Sequence, residues 1–315
     1  MKNRFAAGTG SRREFLQIAA GAVVTLPAFA AHAAEGRVPV VDTHVHCFAG
    51  GKDARFPYHP RGPYRPEKAS PPELLLDRMD GAGVDFAVIV HPEPYQDDHR
   101  FLERCFAVGE KRVKGTCLFF ADQPGAIPAM QALVKRNPGR VVTARIHAYQ
   151  ADRLPPFGKP ELRALWRAAA ELGLAVQLHF EPRFGIAFEP LIREFAKTPV
   201  IIDHLGRPFQ ATREEHAAVV RWARLPNTIM KISSLPLPAE QPAESVAAVV
   251  KELVGAFGAD RLIYGGGFDE NASHESYRAY RERTRGLLAG AGMSAAEQAK
   301  VLGGNAAWVF GFGAA

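Results

Sequence analysis

Residues 40–46 read Val40-Val41-Asp42-Thr43-His44-Val45-His46. The apolar lead-in makes this stretch a β-strand, and a period of two puts Asp42, His44 and His46 on one face. Two imidazoles side by side at a strand end, each offering a lone pair, form a common nucleus of a transition-metal site. A hydrogen-bonded histidine pair with no ligand is the plainer alternative. Cys47 follows directly, but strand parity turns it away from the histidines as a small core residue.

Downstream, apolar strand segments alternate with amphipathic helical ones. Strands are expected at 86–90, 113–120, 141–149, 175–180, 200–204, 228–233 and 261–268. Helices are expected at 71–83, 98–110, 127–137, 160–173, 189–197, 213–225, 244–257 and 275–288. In the helix at 160–173, Leu162, Leu165, Trp166, Ala169 and Leu172 recur at the spacing of one buried face. Eight strand-then-helix units with mostly apolar strands describe a parallel sheet covered by helices, and that count fits a single (β/α)8 TIM barrel over residues 35–315. A further helix, 295–302, closes the chain. The long connection at 48–70, rich in Gly, Pro, Arg and Tyr, reads as a functional loop.

The 315 residues are 47% hydrophobic and 23% charged, with a formal charge of +6. Residues 1–34 stand apart: Ser11-Arg12-Arg13-Glu14-Phe15-Leu16 precedes an apolar run and the small residues around Ala31-His32-Ala33. They read as a targeting segment resembling the twin-arginine signal of bacteria, which implies a periplasmic protein with no membrane attachment after cleavage. Without that segment the charge is +3. So small a balance, with no basic block, argues against nucleic acid and for a small-molecule partner. Three scattered cysteines, Cys47, Cys105 and Cys117, do not suggest a disulfide framework. Nothing in the sequence specifies an oligomeric state.

In a barrel, reacting side chains come from the carboxyl ends of the strands. His44 and His46 end the first strand and His91 the second; Arg145 and His147 share a face of the fourth; His179 and His204 end the fifth and sixth. Together with Gln177-Leu178-His179-Phe180-Glu181, Asp203-His204-Leu205-Gly206-Arg207-Pro208 and Gly304-Asn305-Ala306, this set resembles the amidohydrolase-related branch of the amidohydrolase superfamily. Within it, the sequence is most similar to lactone hydrolases of the 2-pyrone-4,6-dicarboxylate lactonase type. The resemblance implies hydrolysis of a cyclic ester at the barrel mouth, with His44, His46, His179 and His204 as catalytic positions. It also implies either one divalent metal, zinc above all, on His44, His46 and His179, or a metal-free site in which histidines and arginines polarise the carbonyl.

Strand eight departs from the family pattern. Tyr264-Gly265-Gly266-Gly267-Phe268-Asp269 puts Gly267 where the family carries its catalytic aspartate. Either a glycine bulge brings Asp269 into the site, or Glu181 or His204 supplies the base, or Asp269 simply caps the next helix. Arg145 and Arg207 suit a carboxylate-bearing substrate through bidentate hydrogen bonds, and Tyr58 and Tyr64 are placed to cover a planar ring. Lys231 is expected to be an outward stem covering apolar surface, an anion contact being the other reading. Two further functions stay open: a metal-dependent decarboxylase of an aromatic or unsaturated acid, and a catalytically silent binding barrel.

Overall fold

The computed structural model describes residues 37–313; the expected targeting segment, residues 1–34, lies outside the described residues. Eight strands follow in chain order: β1 (Val41–Val45), β2 (Phe86–Ile89), β3 (Val113–Leu118), β4 (Val141–Ala148), β5 (Ala175–Phe180), β6 (Val200–Ile202), β7 (Thr228–Ile232) and β8 (Leu262–Tyr264). Each pairs in parallel with the next, giving one sheet in the order β1 to β8. The helices between them are α1 (Pro72–Ala82), α2 (Arg100–Gly109), α3 (Ala126–Arg136) and α4 (Pro160–Glu171), the short α5 (Pro182–Gly185) and α6 (Glu189–Glu194), then α7 (Arg213–Val220), α8 (Ala243–Phe257) and α9 (His274–Gly290). Among the described residues, no helix is long and apolar enough to cross a membrane.

This is the expected barrel, with strand ends shorter than the apolar runs suggest. β6 stops at Ile202 and β8 at Tyr264, because the following residues leave the ladder for turns with positive φ, at His204 to Arg207 and at Gly266 and Gly267. The C-terminal segment also divides: α10 (Ala295–Ala299) passes through a π turn at Lys300–Gly304 into α11 (Asn305–Phe310). Gly303 is required there, since a Cβ would stand 1.8 Å from the Pro39 carbonyl oxygen. From α11, Ala306, Ala307 and Phe310 pack with Val41, Val88, Val142, Ala175, Ile201, Ile229 and Ile263, which come from seven of the eight strands. This apolar layer fills the amino-terminal end of the barrel. A second, larger core lies between the sheet and the outer helices, where Cys47, Cys105 and Cys117 are all buried as free thiols.

The alternation expected for β1 breaks once. Val41 packs inside the barrel and Val45 in the outer core, and the register against β2 shifts between Asp42 and Val45. Asp42 therefore does not share a face with His44 and His46. Its Oδ1 accepts from the His44 and Gly266 amides at 2.9 and 2.7 Å, and its Oδ2 from the Tyr277 hydroxyl of α9 at 2.7 Å. Thr43 Oγ1 donates to the Tyr264 carbonyl at 2.7 Å. Side chains of β1 thus tie the first strand to the end of the eighth.

Removing a buried acceptor leaves all its donors unpaired, so Asp42→Ala should cost about 3 kcal/mol, and Tyr277→Phe, which loses one donor, about 1 kcal/mol. Urea denaturation of the two variants checks this; equal losses would show that Asp42 is not the fastening of this seam.

Candidate active site

Five imidazoles meet at the mouth. Ring centroids lie 5.0 Å apart for His46 and His44, 4.4 Å for His44 and His204, 5.3 Å for His204 and His179, and 5.0 Å for His179 and His147. His44, His46 and His204 line a cavity of about 270 Å³ together with Ser234, Gly266, Gly267, Phe268 and Tyr280. A larger groove of about 550 Å³ between α8 and α9, lined by residues such as Ala247, Lys251, Arg283 and Gly286, holds no comparable chemistry.

The turn after β6 explains how two neighbouring residues both reach the interior. Asp203 continues the inward face of the strand, and simple alternation would send His204 outward. Instead His204, Leu205, Gly206 and Arg207 all take positive φ, at 56, 58, 69 and 58°. For the three non-glycine residues such conformations cost about 1 kcal/mol or more each, and they persist where surrounding contacts fix them. Here the contacts are Ser233 and Ser234, whose hydroxyls lie 3.0 and 2.8 Å from His204 Nδ1.

Beneath the imidazoles lies a buried charge cluster. Asp203 Oδ2 accepts from Arg145 Nη2 at 3.1 Å and Gln177 Nε2 at 3.0 Å, while Oδ1 stands 3.0 Å from Lys231 Nζ and 3.7 Å from His44 Nδ1. Lys231 also donates to the Thr43 carbonyl at 3.0 Å. The expectation of an outward Lys231 is corrected: its side chain is fully buried inside the barrel, made tolerable by the carboxylate it meets. Desolvation pushes Asp203 towards its neutral form, but Lys231 and Arg145 outweigh it and hold the carboxyl well below the usual carboxylate range.

Burial has the opposite sign for the imidazoles, because it disfavours their charged form. Desolvation, helped by the charge of Arg145, lowers His46 to about 4. It lowers His204 to about 3 against the pull of Asp203, and drives His44, His147 and His179 well down as well. The rings are therefore neutral lone-pair donors at neutral pH. His46 Nδ1–H donates to the Val90 carbonyl at 2.8 Å, which leaves Nε2 as its acceptor.

The other expected site residues fall differently. Arg145 is buried on Asp203 rather than free at the rim. Arg207 reaches His179 Nε2 and the Gln210 amide oxygen. Tyr58 spends its hydroxyl on the Pro66 carbonyl and packs on Tyr95, while Tyr64 is 45% exposed. The glycines do turn the chain, with φ of 106° at Gly266 and 109° at Gly267, yet Asp269 stays exposed and accepts from the Asn271 amide. The bulge that would bring Asp269 inward does not form. Glu181 pairs with Arg183. His91 stacks on His99 and bonds the Gln96 carbonyl. Sequence reasoning did not single out Asp203 or Glu93; the latter is buried, bonded to Tyr149 and Arg153, and lies 3.6 Å from His147 Nδ1.

The side chains best grouped for an ion are also not the expected three. Donor atoms of His44, Asp203 and His204 lie within 4.8 Å of one another, whereas the sequence suggested His44, His46 and His179. Two imidazoles and a carboxylate are zinc ligands by type. By charge the group does not fit: Lys231 Nζ lies 3.0 Å from the Asp203 carboxylate and 3.5 Å from His44 Nδ1, so an ammonium already stands at two of the three donors.

A family model described as amidohydrolase matches residues 41–312, almost the whole described chain. The chain belongs to the amidohydrolase family. Among curated proteins, this amidohydrolase is 29% identical over 168 residues to the 4-sulfomuconolactone hydrolase of Rhizobium radiobacter, covering 53% of this chain and 52% of that one. The chain spans about half the length of the curated relatives it matches. Among solved structures it resembles a probable 2-pyrone-4,6-dicarboxylic acid hydrolase from Acinetobacter baumannii with citric acid bound, at a TM-score of 0.72 and 19% identity over 87% of this chain and 99% of that one. It also resembles an amidohydrolase from Burkholderia multivorans with bound zinc, at a TM-score of 0.70 and 17% identity over the same shares. At these identities the likeness is one of fold.

The depressed imidazoles make stability depend on pH. Unfolded histidines bind a proton below about pH 6.5, while His46 in the folded chain does so only near pH 4. The stabilising contribution is complete above pH 6.5 and declines as the pH falls from there towards 4. Calorimetric Tm should drop over that window, and His46→Asn should flatten the drop; a Tm constant from pH 7 to 4 would contradict neutral buried rings.

Proposed function

We propose that this amidohydrolase opens a lactone or related cyclic ester that carries an anionic group. The observation that carries the reading is the meeting of His44, His46 and His204 around one cavity above a buried positive cluster, with His179 against His204, so that three separate parts of the chain converge there. The lactone hydrolase among its relatives supports the same class of bond.

The chemistry follows from the charges. Lys231 and Arg145 share one carboxylate and the imidazoles are neutral, so the interior keeps a net positive charge that draws the carbonyl oxygen and stabilises the oxyanion formed when water adds. His44 and His46 bound the face where that oxygen sits. His204, steadied through Nδ1 by Ser233 and Ser234, is the group left to take the proton of the attacking water, because Asp269 and Glu181 are both turned to other partners. His179, in contact with Arg207, faces the substrate's anionic group. For the location of this reaction we propose the periplasm, on the strength of Ser11 to Leu16 alone.

Carboxylate- and sulfonate-bearing lactones, followed by acid release, test the assignment. His204→Ala and His179→Ala should each lower kcat/KM by at least about 100-fold, a loss typical of acid–base and positioning groups, whereas Asp269→Asn should stay within about two-fold. Carbon dioxide released from an unsaturated acid without ring opening would favour the decarboxylase reading, and saturable ligand binding without turnover a silent barrel.

A further inference from the structure

Lys231 Nζ lies 3.0 Å from Asp203 Oδ1, donates to the Thr43 carbonyl at 3.0 Å and comes within 3.5 Å of His44 Nδ1. Asp203 and His44 are two of the three side chains whose donor atoms form the candidate ion-binding group. The ammonium therefore occupies the donors that a divalent ion needs. Its surroundings hold it there. The residue is fully buried on β7, and an ammonium leaving the carboxylate would be an unpaired charge in the barrel interior.

The charge count points the same way. Asp203 supplies the negative charge of the cluster, and both Lys231 and Arg145 draw on it; Gln177 and the neutral His44 add none. A dication arriving among these groups meets a net positive charge at contact distance and must take a carboxylate that already has two cationic partners. The same carboxylate fixes the ammonium beside His44, at the foot of the cavity.

We propose that Lys231 is the resident cation of this site, standing where a divalent ion would stand, and that such an ion binds only by displacing it from Asp203. The proposal rests on the cavity being the reaction site, but it concerns which cation serves the cavity and not which bond is broken. It turns Lys231 into a positioning residue: through Asp203 and the Thr43 carbonyl it ties β7 to the turn after β6 and to β1, and sets the positive charge beneath His44.

Zinc binding by the full chain, measured by competition with a chromogenic chelator after dialysis against EDTA, tests this. The wild type should emerge with far less than one zinc per chain and rebind it weakly. Lys231→Met should bind zinc at least about 100-fold more tightly, because one like charge at contact distance is removed. Lys231→Arg, which keeps the charge, should stay with the wild type, and adding Asp203→Asn to Lys231→Met should return the affinity to the weak level. Equal affinities for wild type and Lys231→Met overturn the proposal. If Lys231→Met does not fold, the wild type decides: one zinc per chain surviving EDTA dialysis overturns the proposal, and weak rebinding sustains it. The readout is bound zinc, so a failed lactone panel counts against the hydrolase reading and leaves this one standing.

Discussion

A carboxylate shared by two cations inside a barrel is the contact on which the mouth of this protein depends. Asp203 meets Arg145 from β4, Gln177 from β5 and Lys231 from β7, and Lys231 goes on to the Thr43 carbonyl of β1. Four of the eight strands are thus gathered around one small anion in the turn after β6, the fourth through Lys231. Such a cluster adds little net stability against an apolar filling of the same volume, since three charges had to be desolvated to make it. Its effect is on geometry: no member can be withdrawn without stranding another, at a cost of about 3–5 kcal/mol for a broken buried pair. The imidazoles above it inherit that fixity.

A second aspartate settles how the barrel closes. Asp42 binds the Gly266 amide and the Tyr277 hydroxyl, so the seam between β8 and β1 is made by a side chain where a ladder bond is not available. Close approach at this seam explains the glycines better than catalysis does. A Cβ on Gly265 would stand 2.8 Å from the Cβ of His44, and one on Gly267 would stand 2.7 Å from the Tyr277 ring. The absence of an acid at position 267 and the tight closure of the barrel are thus one feature. What it leaves on that side of the cavity is backbone, Phe268 and the Tyr280 ring.

Much of this is legible in the sequence. Strand-then-helix alternation carries the fold, and histidines at strand ends mark the candidate site, because both signals are local and repeat. The charge cluster was not legible for a related reason. Period-two reasoning assumes an unbroken pleat, and the chain breaks it at both places that matter: between Asp42 and Val45, and in the left-handed run His204 to Arg207. The first break moved Asp42 off the histidine face, and the second let Asp203 and His204 point into the same space. Lys231 shares its strand parity with Ser233, so the inward face could be read, but a lone lysine in a barrel looks implausible until its carboxylate is found 28 residues earlier in the chain. Two of the readings left open for Asp269 fall to the structure: its exposure and its bond to Asn271 exclude the inward bulge, and Ser273, not Asp269, caps α9.

The layer formed by α11 has a further effect on traffic. Ala306, Ala307 and Phe310 stop the amino-terminal end of the barrel with apolar packing, so the cavity has a floor and opens at the opposite end. Whatever enters the cavity must leave through the same doorway. For the cyclic ester proposed as substrate, the ring-opened acid would keep its original anionic group and gain a second, and would compete with incoming substrate for the same positive interior.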